Sequence, residues 1–285
     1  MTMTATLLDG KLTAQTVLDR CAARVAAIVD KTGVTPCLAT VLVGADPASV
    51  TYTAMKRKRC EAVGMKSLKL ELPQETTTAE LVAQIKRLGN DANVHGILLQ
   101  HPVPKHIDER AAFEAIPASK DVDGVTISSF GSMAFALPGF ASCTPGGIMT
   151  LLREYDILLA GRRAVVIGRS PILGKPMAMM LLAADATVTV CHSKTRDLPQ
   201  VVREGDLVVA AVGRSAFVKG DWIKQGAVVV DAGYNAGNVG DVDFEPAAAR
   251  ASYITPVPGG VGPMTIATLI DQTATAAARL LGVNP

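Results

Sequence analysis

The stretch "AVVIGRSPILGKPMA", residues 164–178, decides the fold. Four apolar residues run into Gly168, a short polar turn follows, and a helical run opens after Gly174. A β-rich run closed by glycine and reopened as a helix is the opening of a parallel crossover. Gly168 permits the tight turn, and Gly174 lets the helix come close to phosphates or to the sheet. The spacing is not G-x-G-x-x-G, so these residues alone do not separate a dinucleotide site from a plain connection.

Working outward, further β-rich runs stand at 187–191, 207–211, 227–231 and 253–255, and a helix is expected over 175–184. Each strand ends in Gly-, Ser- or Asn-rich turns, the pattern of a doubly wound α/β sheet. Upstream, 37–44 and 96–104 read as buried strands, the second ended by its prolines. In 67–73 the residues alternate, which points Leu68, Leu70 and Leu72 inward and Lys69 and Glu71 outward. A helix over 77–89 carries a capping box in Thr77 and Glu80, an apolar stripe in Leu81, Ile85 and Leu88, and Gly89 as its C-cap. Thr144 and Pro145 open another helix through Tyr155, with the threonine hydroxyl as cap. No repeat and no low-complexity linker divides the chain.

At 285 residues there is room for two domains, and a net charge of +2 is too mild for a dedicated nucleic-acid binder. Although 49% of the residues are hydrophobic, no apolar run has the length of a membrane span. The start lacks the basic and apolar regions of a signal peptide. Five scattered cysteines fit a reducing compartment, and four histidines show no metal-ligand spacing. The expectation is a soluble, cytoplasmic protein without a metal.

Three local patterns carry chemistry. A dinucleotide fold that prefers NAD places an acid at the end of its second strand for the ribose hydroxyls. Here that strand runs into "CHSKT", which offers Ser193, Lys194 and Thr195 and no acid. With Arg169 after the first glycine, the set suits a ribose phosphate, hence NADP. The loop "TPVPGGVGPMT" (255–265) brings three glycines and three prolines together, more than a simple turn requires, and reads as a loop that approaches a ligand. In "TYTAMKRKRC" (51–60), Tyr52 and Lys56 lie four apart and share a helix face, ahead of three more cations. The pair also matches short-chain dehydrogenases, but there it follows the glycine turn, whereas here it precedes Gly168 by over a hundred residues. Either acid of "KDVDG", Asp121 or Asp123, is placed to bind a polar ring edge or to hold a turn.

These residues resemble the bifunctional methylenetetrahydrofolate dehydrogenase/methenyltetrahydrofolate cyclohydrolase family. "PGGVGPMTI" is a highly specific signature of that family, and "TYTAMKRKRCEAVGM", "GILLQHPVP", "KDVDG" and "VVIGRSPILGKPM" agree with it across nearly the whole chain. The resemblance implies a folate active site at Tyr52, Lys56, Gln100 and Asp123, with Pro258, Gly259 and Gly260 also at the substrate. It implies NADP contacts at Gly168, Arg169, Ser170, Ser193, Thr195, Gly213, Gly233, Gly262 and Thr265. Two α/β domains are implied: a catalytic domain over 1–147 completed by 263–285, and a Rossmann-type NADP domain over 148–262. The last helix returns to the first domain, the substrates are tetrahydrofolate derivatives, and the assembly is a homodimer. Within this picture Arg59, three residues after Lys56, is the cation expected to depress the lysine pKa. The chain departs from the family pattern at His101 and Val103, at Gly89, at Tyr234, and at Ser129, Ser132, Ser142 and Gly146 in 128–146. A different two-domain NADP dehydrogenase, of the shikimate type, is the rival reading.

Overall fold

The computed structural model describes residues 5–44 and 46–284, apart from the side chains of 47–52. The chain clusters into two compact units. One holds residues up to Ala14, Met133–Ala136 and Thr144–Thr265; the other holds Gln15–Ser132, Leu137–Cys143 and the chain from Ile266 on.

In chain order the elements begin with β1 (Thr6–Leu7), α1 (Gly10–Thr32), β2 (Cys37–Val43), α2 (Pro47–Ala62) and β3 (Lys66–Leu72). There follow α3 (Thr78–Asn90), β4 (Gly96–Leu99), α4 (Glu109–Glu114), α5 (Ile127–Ala134) and α6 (Cys143–Glu154). The rest are β5 (Arg163–Ile167), α7 (Gly174–Ala183), β6 (Thr187–Cys191), α8 (Leu198–Arg203), β7 (Leu207–Ala210), β8 (Val228–Asp231), α9 (Phe244–Ala248), β9 (Tyr253–Ile254) and α10 (Val261–Leu280).

The first unit is a six-stranded sheet in the order β1-β9-β8-β7-β5-β6, and its strands pair in parallel throughout. Every residue of the central strands β7 and β8 is buried, as a parallel sheet covered on both faces requires. Val165, Ile167, Val208, Val229 and Ile254 pack with Val202, Ile223 and Ala247 into one core. The two-residue β1 was not expected from the sequence. It pairs with β9, so Thr6 and Leu7 extend this sheet.

The second unit centres on a three-stranded parallel sheet, β3-β2-β4, whose middle strand is buried throughout. Leu68 is not buried as the alternation suggested: it is 41% exposed on β3, a strand at the sheet's edge, while Leu70 and Leu72 on the same face are half-buried. The capping box of α3 is formed by Thr77 and Glu80, and Leu81, Ile85 and Leu88 are buried. Gly89 is not the C-cap. The helix continues to Asn90 with Asp91 as cap, and a Cβ at Gly89 would stand 2.8 Å from the Pro117 ring, so close packing explains this glycine. Thr144 lies within α6 rather than capping it, and its hydroxyl accepts from Thr265 at 3.1 Å.

From Ile266 on, α10 packs with α1: the Ile270 carbonyl lies 3.9 Å from the Cys21 thiol, and Arg24 pairs with Asp271. Among the described residues no helix is long and apolar enough to cross a membrane.

Candidate active site

Helix α2 sorts its own basic run. Thr53, Lys56 and Cys60 recur at helical spacing on one face, and Thr53 and Cys60 are buried. Lys56 is therefore drawn inward, while Arg57, Lys58 and Arg59 are exposed. Arg57 meets Glu61 one turn on at 3.8 Å, a solvated pair.

Lys56 Nζ donates to Gln100 Oε1 at 3.0 Å. Gln100 follows β4 and is buried; its backbone N–H continues the ladder to the Val41 carbonyl, 2.8 Å away. Its Nε2 donates to the His101 carbonyl at 2.7 Å, which turns the amide so that its oxygen must face the lysine. Burial lowers the Lys56 pKa below the ordinary lysine value, and the negative charge of Asp123 partly opposes that shift. The depression comes from desolvation and not from Arg59, whose exposed guanidinium does not contribute to it.

The two acids of "KDVDG" part company. Asp121 is wholly buried and accepts from the backbone N–H groups of Val125 (3.1 Å) and Thr126 (2.9 Å) and from the Ser129 hydroxyl (2.5 Å). It builds the turn. Asp123 is only partly buried, faces Lys56 and touches the Cys143 thiol. Desolvation pushes its carboxyl up to about 6 against the pull of the Lys56 charge.

Two residues of this cluster gave no signal in the sequence. Cys143 donates its thiol to the Val122 carbonyl at 3.1 Å, and burial beside Asp123 pushes that thiol well above its usual range. Gln272, on α10, donates to the carbonyls of Val122 and Ala141, both at 2.9 Å, and accepts from the Ala141 N–H at 3.0 Å. It ties the Asp123 turn to the segment before α6. Tyr52 lies on α2, and its side chain falls outside the described residues.

The remaining predicted residues belong to the other unit. Strand β5 lies between β6 and β7, so the chain leaves β5 in opposite directions at this point of the sheet. Such a switch point opens a crevice at the carboxyl ends of the strands. Gly168 sits there with φ +132°, and a Cβ on it would stand 2.2 Å from the Ala211 carbonyl oxygen. Arg169 and Ser170 are exposed after it, and the Ser170 hydroxyl accepts from the N–H groups of Leu173 (3.2 Å) and Gly174 (3.3 Å). After β6, Ser193 and Lys194 are exposed, and the Thr195 hydroxyl closes the turn by accepting from the His192 N–H at 2.8 Å. Among the described residues no carboxylate is paired with Arg169 or Lys194. The crevice thus has a bare backbone at Gly168 and free cations with hydroxyls beside it, which fits a phosphorylated dinucleotide.

Gly213 is exposed after β7 and Gly233 buried after β8. In the loop before α10, Gly259 has φ +112° and lies near the Lys11 side chain. Gly260 packs against Pro256 and against Gly10 at the start of α1, so this part of the loop also serves the chain's own packing. Pro258 precedes this pair. At Gly262 nothing would meet a Cβ within 4 Å, and Thr265 is committed to Thr144.

Two family models match the chain. Residues 8–123 match the tetrahydrofolate dehydrogenase/cyclohydrolase catalytic domain, and residues 142–281 match the NAD(P)-binding domain of the same family. This chain belongs to the tetrahydrofolate dehydrogenase/cyclohydrolase family. It is 63% identical to the bifunctional protein FolD 1 of Streptomyces avermitilis over 99% of both chains. Among solved structures it is similar to the bifunctional FolD methylenetetrahydrofolate dehydrogenase/cyclohydrolase of Campylobacter jejuni. That likeness has a TM-score of 0.94 and 47% identity, over 96% of this chain and 99% of that one. It is also similar to the Trypanosoma brucei enzyme complexed with NADP and an inhibitor, with a TM-score of 0.93 and 38% identity, over 96% and 98%. The shikimate dehydrogenase of Thermus thermophilus shares only the fold, at 17% identity and a TM-score of 0.53.

Proposed function

We infer that this chain is a bifunctional enzyme of one-carbon metabolism. It oxidises 5,10-methylenetetrahydrofolate with NADP to the methenyl form and hydrolyses that product to 10-formyltetrahydrofolate. The observation that carries the site assignment is the Lys56–Gln100 hydrogen bond, 3.0 Å long, beside the desolvated Asp123.

Bound NADP supplies the acceptor for the hydride. Everything else falls to the chain's own residues. Asp123 accepts hydrogen bonds from the amino edge of the pterin, for which an ionised carboxylate has the acceptors. Tyr52 stacks on and orients the substrate. Loss of hydride leaves a methenyl cation, and water adds to its carbon. The attacking water must then lose a proton, and the ring nitrogen must gain one as the carbon–nitrogen bond breaks. An ordinary lysine, with a pKa of about 10.4, is protonated at neutrality and cannot take that proton. Desolvation raises the fraction of neutral Lys56, and Gln100 binds an N–H while leaving the lone pair free. Lys56 therefore takes the proton from water and returns one to nitrogen. Pro258, Gly259 and Gly260 border the substrate.

On the cofactor side, Arg169, Ser193 and Thr195 would hold the ribose phosphate, and Gly168, Ser170, Gly213, Gly233, Gly262 and Thr265 would receive the rest of the dinucleotide. We assign the folate chemistry to 1–147 completed by 263–285, and the NADP site to 148–262. The family resemblance supports a homodimer in the cytoplasm. The test is purified protein with methylenetetrahydrofolate and NADP or NAD, followed for NADPH, the methenyl product and its hydrolysis. NADPH formation without hydrolysis would leave a monofunctional dehydrogenase, and no folate oxidation would sink the reading.

A further inference from the structure

Two carboxylates outside the folate cluster lie under the cofactor crevice. Asp241 is 0% exposed, and four donors converge on it. Its Oδ2 accepts from the backbone N–H groups of Val212 (2.6 Å) and Gly213 (2.8 Å). Its Oδ1 accepts from the Arg214 N–H (2.8 Å) and from Asn235 Nδ2 (3.1 Å). Three successive N–H groups turned to one side form a concave anion site of the kind that often cradles phosphate. Here the protein fills that site with its own carboxylate.

The carboxylate is itself held. Asp231, at the end of β8 and 4% exposed, accepts at Oδ1 from the Asp241 N–H and the Gly233 N–H, both at 2.9 Å, and at Oδ2 from Val242 at 2.9 Å. A Cβ at Gly233 would stand 2.2 Å from Asp241 Oδ1, and one at Gly240 would stand 1.9 Å from Asp231 Oδ2. Both glycines are required by the carboxylates behind them. Gly233 thus has a role that needs no cofactor contact.

The loop that Asp241 binds, 212–214, leaves the carboxyl end of β7, beside the switch point at β5. Ala211, just before it, lies against Gly168. We propose that Asp241 is a positioning residue of the dinucleotide site, whose carboxylate fixes the 212–214 loop in the form that receives the cofactor. This deepens, and rests on, the assignment of NADP to this crevice. Only an ionised carboxylate meets the demand: it is acceptor-only with about four lone-pair sites, whereas an asparagine turns an NH2 towards backbone N–H groups. The 212–214 N–H groups are also unavailable to the cofactor's phosphates, which must be received by other donors.

The test is Asp241→Asn, read in two ways. In the cofactor-free protein, amide exchange at 212–214 should quicken by about tenfold or more, with the rest of the sheet protected as before. In turnover, KM for NADP should rise about tenfold or more. Cyclohydrolase activity on supplied methenyltetrahydrofolate, which uses no NADP, should stay within about twofold because Lys56 and Asp123 are untouched. Unchanged loop exchange, an unchanged KM for NADP, or equal losses of the two activities would overturn the proposal. If Asp241→Asn fails to fold, Asn235→Ala removes one of the four donors and decides the matter at smaller amplitude. Faster loop exchange and a KM raised about threefold support the role, and no change in either overturns it. A wild-type protein indifferent to NADP would instead overturn the cofactor assignment, whatever the loop amides do.

Discussion

Asp121 and Asp123 stand two residues apart in one turn and are used in opposite ways. Asp121 is buried with three donors from its own chain upon it. Asp123 is partly buried, faces a lysine, and keeps acceptors open. The difference teaches how to tell a carboxylate that builds from one that works. The difference in burial is only part of it; what matters is whether the chain satisfies the buried charge itself. Asp241 falls with Asp121 on the first side, and Lys56 falls with Asp123 on the second.

The sharpest pressure on this comparison comes from Lys56→Met, which keeps the stem and removes the amine. A positioned acid–base group supplies about a hundred- to ten-thousand-fold, so cyclohydrolase activity should fall at least about a hundredfold. The dehydrogenase should fall less, and methenyl product should accumulate, because hydride departure requires no proton carrier. Equal losses on one folded preparation would make Lys56 a binding residue.

Next in size is Arg169→Ala. A charge-assisted contact to the ribose phosphate predicts a rise of about tenfold or more in KM for NADP and little change for NAD. Equal rises for both cofactors would return Arg169 to the solvated surface.

The smallest effect is the pH dependence. Because the Asp123 carboxyl is pushed up to about 6, folate binding should weaken as pH falls through that value, when the group gains a proton and loses acceptor capacity. Stability should move the other way. A raised carboxyl pKa in the folded chain means that this contribution is present below the ordinary carboxylate range and lost as pH rises through about 6. Asp231, also raised to about 6, adds in the same direction. Folate titrations from pH 5 to 8 on wild type and Asp123→Asn check the first limb. An equally pH-dependent variant would contradict it.

The parallel sheets and the capping box of Thr77 and Glu80 were legible because each rests on local pattern, and the grouping of Lys56 with Gln100 because it rests on a family motif. What was not legible depends on contacts far along the chain. Gln272 reaches Val122 across 150 residues, and nothing in "DQT" announces it. Cys143 becomes part of the cluster only once the turn carrying Asp123 packs against it. The exposure of Leu68 was not legible because strand alternation does not reveal which strand is the sheet's edge. Arg59 is three residues from Lys56 and near it by spacing, but the helix turns that position to solvent.

The comparison itself is tested most directly by measuring Asp121→Asn and Asp123→Asn side by side. Each preparation is followed by chemical unfolding and by KM for folate in both reactions. Asp121→Asn should lose about 2–4 kcal/mol of stability, because donors built around a charge lose their acceptor. Asp123→Asn should be no less stable than wild type, because it removes a desolvated charge, and should raise KM for folate at least about tenfold in both reactions, with NADP unaffected. The opposite pattern, a stable Asp121→Asn with impaired folate binding and an unstable Asp123→Asn, would contradict the account.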